Sequence, residues 1–204
     1  MYVVKEITYS AAGDRAIIRL EGESEQALVT VAPEVVLRCA IKKGVEVSRA
    51  LYAELSDTSE LEGAIRKGLS ILGYGANSVS RLEEKLRKHG YSSDVSARAV
   101  CELVSRGYID EEKDAIRLCD SMISKKYGPR KVLVALKNRG YKRPVLQKAE
   151  AFLQEVDFSE VCESLIRKKI KKLPENRDET KKLVAKLTAL GYNVSDIRRA
   201  LERI

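Results

Sequence analysis

The sequence predicts a mainly α protein: tandem three-helix repeats, the last one truncated, in an elongated array, preceded by a small α+β N-terminal module. Three observations carry this reading. The phrase Leu-x-x-x-Gly-Tyr occurs at Leu69–Tyr74, Leu86–Tyr91, Leu103–Tyr108, Leu136–Tyr141 and Leu187–Tyr192. Three of these copies, ending at Tyr91, Tyr141 and Tyr192, recur about every 50 residues, the period of a stacked helical repeat. Strand-type composition is confined to the first third. The phrase reads as a helix end: leucine closes the apolar stripe, glycine takes the left-handed conformation that a Cβ disfavours, and tyrosine folds back on the last turn. Gly90, Tyr91, Gly107, Tyr108, Gly140, Tyr141, Gly191 and Tyr192 are therefore expected to be structural.

Each element follows in order. Val3–Tyr9, Arg15–Leu20 and Ala27–Val31 read as strands, with Ala11-Ala12-Gly13-Asp14 as the first turn. Pro33 opens a short helix, Glu34–Ile41, which Lys42-Lys43-Gly44 ends. Ser48 caps a further helix through Leu55, and Asp57-Thr58-Ser59-Glu60 starts another that ends near Leu72. This gives an α+β module over 1–56 and a connecting helix over 57–77. Three repeats follow, over 78–127, 128–177 and 178–204.

The first helices of the repeats align without gaps. Leu82, Val132 and Leu183 correspond, as do Leu86, Leu136 and Leu187, a stripe at i and i+4. Second helices carry Val95, Ala99 and Leu103, then Leu146, Ala149 and Leu153, then Ile197, Ala200 and Ile204. Third helices, Glu111–Lys126 and Ser159–Lys172, exist only in the first two repeats.

Composition restricts the function. No apolar stretch is long enough to span a membrane, and the N-terminus lacks the pattern of a signal peptide, so a cytoplasmic protein is expected, with no membrane partner. Cys39, Cys101, Cys119 and Cys162 form no C-x-x-C pair and read as buried or half-buried reduced thiols. With His89 as the one histidine, neither a metal site nor histidine-based catalysis is expected. Phosphate-loop, dinucleotide, zinc-protease and serine-hydrolase motifs are absent, so the chain reads as a non-enzyme without cofactors. Asp110-Glu111-Glu112 reads as a cap and acidic first turn.

The formal net charge of +8 is unevenly placed. Residues 1–76 hold 9 Lys/Arg against 11 Asp/Glu, and residues 77–204 hold 29 against 19. One basic cluster is Arg167, Lys168, Lys169, Lys171 and Lys172 at a helix end, where cations also offset the macrodipole. The other is Lys125, Lys126, Arg130, Lys131, Lys137, Arg139, Lys142 and Arg143, of which the last three flank Gly140-Tyr141. Aligned on one face, such groups would hold phosphates or an acidic protein surface, and binding would weaken steeply with salt.

Three stretches carry a family resemblance: Ser80–Tyr91, Arg106–Glu112 and Lys126–Tyr141. They resemble the RecX family, small helical regulators of the RecA recombinase. The family's "Ser-x-x-Glu-Leu" helix start matches Ser78–Leu82. Its "Gly-Tyr-Leu-Asp-Asp" turn matches Gly107–Glu111, and its glycine-bounded segment matches Gly128–Gly140. The likeness spans residues 58–204. The chain departs from the pattern at Asp114, where the family has Phe, at Gly75, and at Met122 and Ser124, where it has arginines. The resemblance implies a monomeric protein that binds the RecA filament on DNA and inhibits its ATP hydrolysis and strand exchange, or promotes its disassembly. Direct binding to single- or double-stranded DNA is the alternative. The acidic starts at Glu111–Ile116 and Ser159–Glu163 argue against sequence reading in a groove.

Overall fold

The computed structural model describes residues 1–23, 25–169 and 176–204. Strands β1 (Tyr2–Tyr9), β2 (Ala16–Glu21), β3 (Gln26–Val31) and β4 (Glu46–Val47) form one antiparallel sheet of order β3-β2-β1-β4. Alternation sends Tyr2, Val4, Ala16, Ile18, Leu20, Val29 and Val31 to one face. They form a core with Val36 of α1 (Pro33–Arg38), Ile41, Val47 and Leu55. Helix α1 stops at Arg38, short of the expected Ile41, because Ala40 turns left-handed at φ 49°.

The helices expected after Ser48 and after Asp57 are one, α2 (Arg49–Gly73), capped by Ser48, which accepts the Leu51 N–H. The cap-like residues in its middle serve neighbours instead. Ser59 accepts the Thr30 N–H and Glu62 the Ala32 N–H, satisfying one donor on the edge strand β3 and one just past its end. Thr58 bonds back to the Glu54 carbonyl, and Asp57 takes both arms of the Arg98 guanidinium at 3.0 Å.

Eight more helices follow α2 among the described residues, the first seven being α3 (Val79–Lys88), α4 (Ser93–Ser105), α5 (Glu111–Ser124), α6 (Pro129–Asn138), α7 (Arg143–Gln154), α8 (Phe158–Lys169) and α9 (Arg177–Ala189). The last, α10, covers Val194–Glu202. The fold is thus mainly helical behind a small strand module. The described chain forms two compact units, residues 1–74 with 82–108, and residues 75–81 with 109–204.

Within each unit the packing partners are offset by one helix from the sequence repeat. Helix α2 packs on α4, α5 packs on α6 and α7, and α8 and α9 pack on α10. Small residues allow the first of these approaches. A Cβ on Gly68 would stand 2.6 Å from Leu103 Cδ1, and the Tyr91 ring lies over Gly63. The third trio closes on Phe158, Cys162, Leu165, Ile166, Leu187, Tyr192, Ile197 and Ala200, all buried.

The Gly-Tyr phrase is a Schellman helix end in four of its five copies. Gly90, Gly107, Gly140 and Gly191 have φ between 76° and 95°. Each glycine N–H bonds three residues back, and each following tyrosine N–H bonds to the leucine five back, Leu86, Leu103, Leu136 and Leu187. The copy at Gly73 differs: Gly73 stays helical, Gly75 takes the positive φ, and the Tyr74 ring is 94% exposed. Tyr108 also points outward, at 56% exposed. Packing on the last turn thus explains the buried Tyr141 and Tyr192 and the half-buried Tyr91, but not Tyr74 or Tyr108. A sixth copy carries lysine in place of glycine. Lys126 has φ 64°, and the Tyr127 N–H bonds to the Met122 carbonyl.

Cys119 and Cys162 are buried, and loss of hydration pushes both thiols up to about 11. Cys39 is half-buried, and Cys101 is exposed, against expectation.

Candidate partner-binding surface

Two helix-to-helix joints organise the basic part of the chain. In the second unit the C-terminal turn of α6 meets the residues that open α3. The Ser78 hydroxyl donates to the Arg139 carbonyl at 2.6 Å and accepts the Arg81 N–H at 3.3 Å, and Glu111 accepts the Val79 N–H at 2.9 Å. A Cβ on Gly140 would lie 3.0 Å from Ser78 Oγ and 3.5 Å from Ser80 Cβ. The C-terminal turn of α9 meets the start of α6 at the corresponding place, through backbone groups. The Gly128 N–H donates to the Leu190 carbonyl at 2.9 Å, and the Arg130 N–H donates to Gly191 at 3.0 Å. The positions correspond: Ser78 to Gly128, Arg139 to Leu190, Gly140 to Gly191. At the α9–α6 joint free N–H groups of a helix start meet free carbonyls of a helix end directly, whereas at the α6–α3 joint the Ser78 hydroxyl reaches the Arg139 carbonyl and the Glu111 carboxylate takes the Val79 N–H.

The second joint is the tighter. A Cβ on Gly128 would lie 2.3 Å from the backbone of Gly191 and Tyr192. The buried Tyr192 hydroxyl donates to the Lys126 carbonyl at 2.8 Å, and burial pushes that phenol far above its ordinary range.

Among the cluster along α5 to α7, Lys125, Arg130, Lys137, Arg139, Lys142 and Arg143 are exposed. Lys126 and Lys131 are half-buried, with the Lys131 ammonium 4.5 Å from the Tyr127 ring centroid. Helical spacing puts Arg130, Val134 and Lys137 on the outward face of α6, opposite the buried Val132 and Leu136. No carboxylate among the described residues is within ion-pair distance of these eight cations. Their neighbours are paired: Lys113 with Asp110, Arg117 with Asp114, Lys148 with Glu112.

Of the other basic cluster, Arg167 and Lys168 are the members whose side chains are described. Arg167 pairs with Glu163 and donates to the Arg203 carbonyl, and Lys168 is exposed. Only the backbone of Lys169 is described, and Lys171 and Lys172 lie outside the described residues. The acidic run divides its tasks: Asp110 caps α5 by accepting the Lys113 N–H, Glu111 reaches Val79, and Glu112 pairs with Lys148.

Sequence reasoning missed Arg81. It is exposed, and its backbone lies 3.9 Å from the Cβ position of Gly140, beside Arg139. The signal was present in the repeat alignment, which pairs Arg81 with Lys131.

No family model matches the sequence. The regulatory protein RecX of Mycolicibacterium smegmatis is 34% identical over 134 residues, covering 62% of this chain and 71% of that protein. The chain belongs to the RecX family. RecX of Chlorobaculum tepidum is 29% identical over 150 residues, covering 72% of this chain and 92% of that protein. A crystal structure of a regulatory protein RecX shares the fold with a TM-score of 0.78 at 20% identity, over 99% of this chain and all of that one (100%). RecX from Lactobacillus salivarius gives a TM-score of 0.64 at 17% identity over 71% of this chain. As in the sequence reading, no described helix is long and apolar enough to cross a membrane.

Where the RecX pattern has Phe, Asp114 is largely shielded, its side chain 16% exposed. Desolvation raises its pKa, only partly offset by Arg117. The folded state therefore holds this proton more tightly than the unfolded chain, and stability falls as pH rises through the raised value. Asp114→Asn is expected to be the more stable protein at pH 7, with the gain shrinking as pH falls through the raised value and gone below about 4, where aspartate is protonated in the unfolded chain too. Urea midpoints at the two pH values test this, and a gain independent of pH would show that charge burial is not its cause.

Proposed function

We propose that this chain binds the RecA recombinase assembled on DNA and restrains its ATP hydrolysis and strand exchange, acting as a monomer and without chemistry of its own. Membership of the RecX family supports a regulatory role, and the unpaired cations along α5 to α7 support a polyanionic target. A filament on DNA presents phosphates and protein together. A ligand that prefers one state of the filament shifts its population without a catalytic residue.

The test is the ATPase rate of the cognate RecA on single-stranded DNA as this protein is added. Suppression well below one-to-one is expected, because one bound regulator blocks growth of a polymer. An unchanged rate at excess, with filaments intact, would remove the reading and leave non-specific DNA binding in its place.

A further inference from the structure

The two joints occupy corresponding places in the repeat but differ in their bonds and in the side chains around them. At the α6–α3 joint stand Arg81, Arg139, Lys142 and Arg143, all exposed. The corresponding residues of the α9–α6 joint are Lys131, Leu190, Asn193 and Val194. The second joint is thus a packing device. The first is closed by the Ser78 hydroxyl instead and carries four cations, none with a carboxylate partner among the described residues.

We propose that the α6–α3 joint is a nucleic-acid contact that grips the phosphodiester backbone, with Arg81 as its fourth cation. Three features favour phosphate over an acidic protein face. Three of the four groups are arginines, whose planar fork matches phosphate oxygens two at a time. Their backbones are held rigidly, since one hydroxyl, that of Ser78, bonds both Arg139 and Arg81. The adjoining start of α7 has no side-chain cap and no acid in its first turn, so its positive end adds to the same field. By contrast, α5 opens on Asp110, Glu111, Glu112 and Asp114. The Glu111 carboxylate at the joint accepts the Val79 N–H.

This deepens the filament reading by assigning one surface to the DNA strand rather than to the recombinase, and it rests on that reading for its setting only. The test uses the whole chain and naked DNA, so the two can fail separately. Binding to labelled oligo(dT) and to a short duplex is followed by anisotropy across a salt series. Arg81→Gln is expected to weaken binding several-fold. It should also lower the slope of log K against log salt by about 0.7 on the single strand and about 0.9 on the duplex, one phosphate contact. Lys148→Gln, whose lysine is already paired with Glu112, is expected to change neither. Polyglutamate is expected to compete poorly. Arg81→Gln behaving like Lys148→Gln, polyglutamate displacing the DNA at equal charge, or no binding by the unaltered protein would each overturn the assignment. Suppression of the RecA ATPase could survive all three.

Discussion

Gly191→Ala is expected to lower the unfolding free energy by about 2–5 kcal/mol, while Gly90→Ala, in the same phrase, costs about 1 kcal/mol. Both residues are left-handed, Gly90 at φ 95° and Gly191 at φ 94°. That conformation alone penalises any Cβ. At Gly90 nothing else is near, since no heavy atom lies within 4 Å of the Cβ position. At Gly191 the Cβ position is 2.4 Å from the Lys131 nitrogen and 2.6 Å from its Cβ, so the helix start must move. Movement there breaks the bonds from Gly128 and Arg130 and displaces the fully buried Tyr192. Urea unfolding of the two variants, read as midpoint and slope, gives the comparison. Equal costs would mean that the α9–α6 joint gives way freely.

Reversing Arg139, Lys142 and Arg143 to glutamate together is expected to weaken suppression of the RecA ATPase by on the order of a hundredfold, with helicity unchanged. All three are exposed and make no ion pair among the described residues, so the fold gives up nothing that they hold. The bound state loses three attractions and gains three repulsions against phosphate or carboxylate. The same reversal at Arg167 should act differently, because Arg167 already pairs with Glu163 and bonds the Arg203 carbonyl. There the cost falls on the α8–α10 contact, and thermal unfolding shifts more than inhibition does. Undiminished inhibition by the triple variant would make the α6–α7 turn a merely solvated surface.

The helical plan was legible in the sequence because the Schellman end is a local structure. Its leucine, glycine and tyrosine meet within six residues, so one phrase reports one helix end. Three of the four strands were legible through alternation, whereas the two-residue β4 is too short to alternate and is defined by its pairing with β1. What was hidden depends on neighbours remote in the chain. Asp57, Thr58 and Ser59 read as a helix start because they are good caps, yet Arg98 and Thr30 hold two of them in mid-helix. Tyr74 and Tyr108 carry the phrase but have no surface to fold against. Lys126 fills a glycine position that a search for Gly-Tyr passes over, and the bond from Tyr192 to its carbonyl holds the turn. Of the basic surface, the α6–α7 cluster could be read directly. Arg81 joins it only through the Ser78 hydroxyl, a contact that no pattern of charge along the chain reveals.

The one-helix offset between repeat and packing separates the unit of inheritance from the unit of folding. A cut after Tyr127, where the sequence repeat ends, leaves α5 with its apolar side bare, because its partners α6 and α7 lie beyond the cut. A cut between Arg106 and Asp110 keeps α2 with α4 and sends α5 with the helices that cover it, at the cost of the bonds from Ser78 and Val79 to Arg139 and Glu111. An ancestral duplication that copied α5, α6 and α7 as one block would have carried three mutually packed helices from the moment it arose. A block copied in the register of the Gly-Tyr phrase would have needed a neighbour already in place.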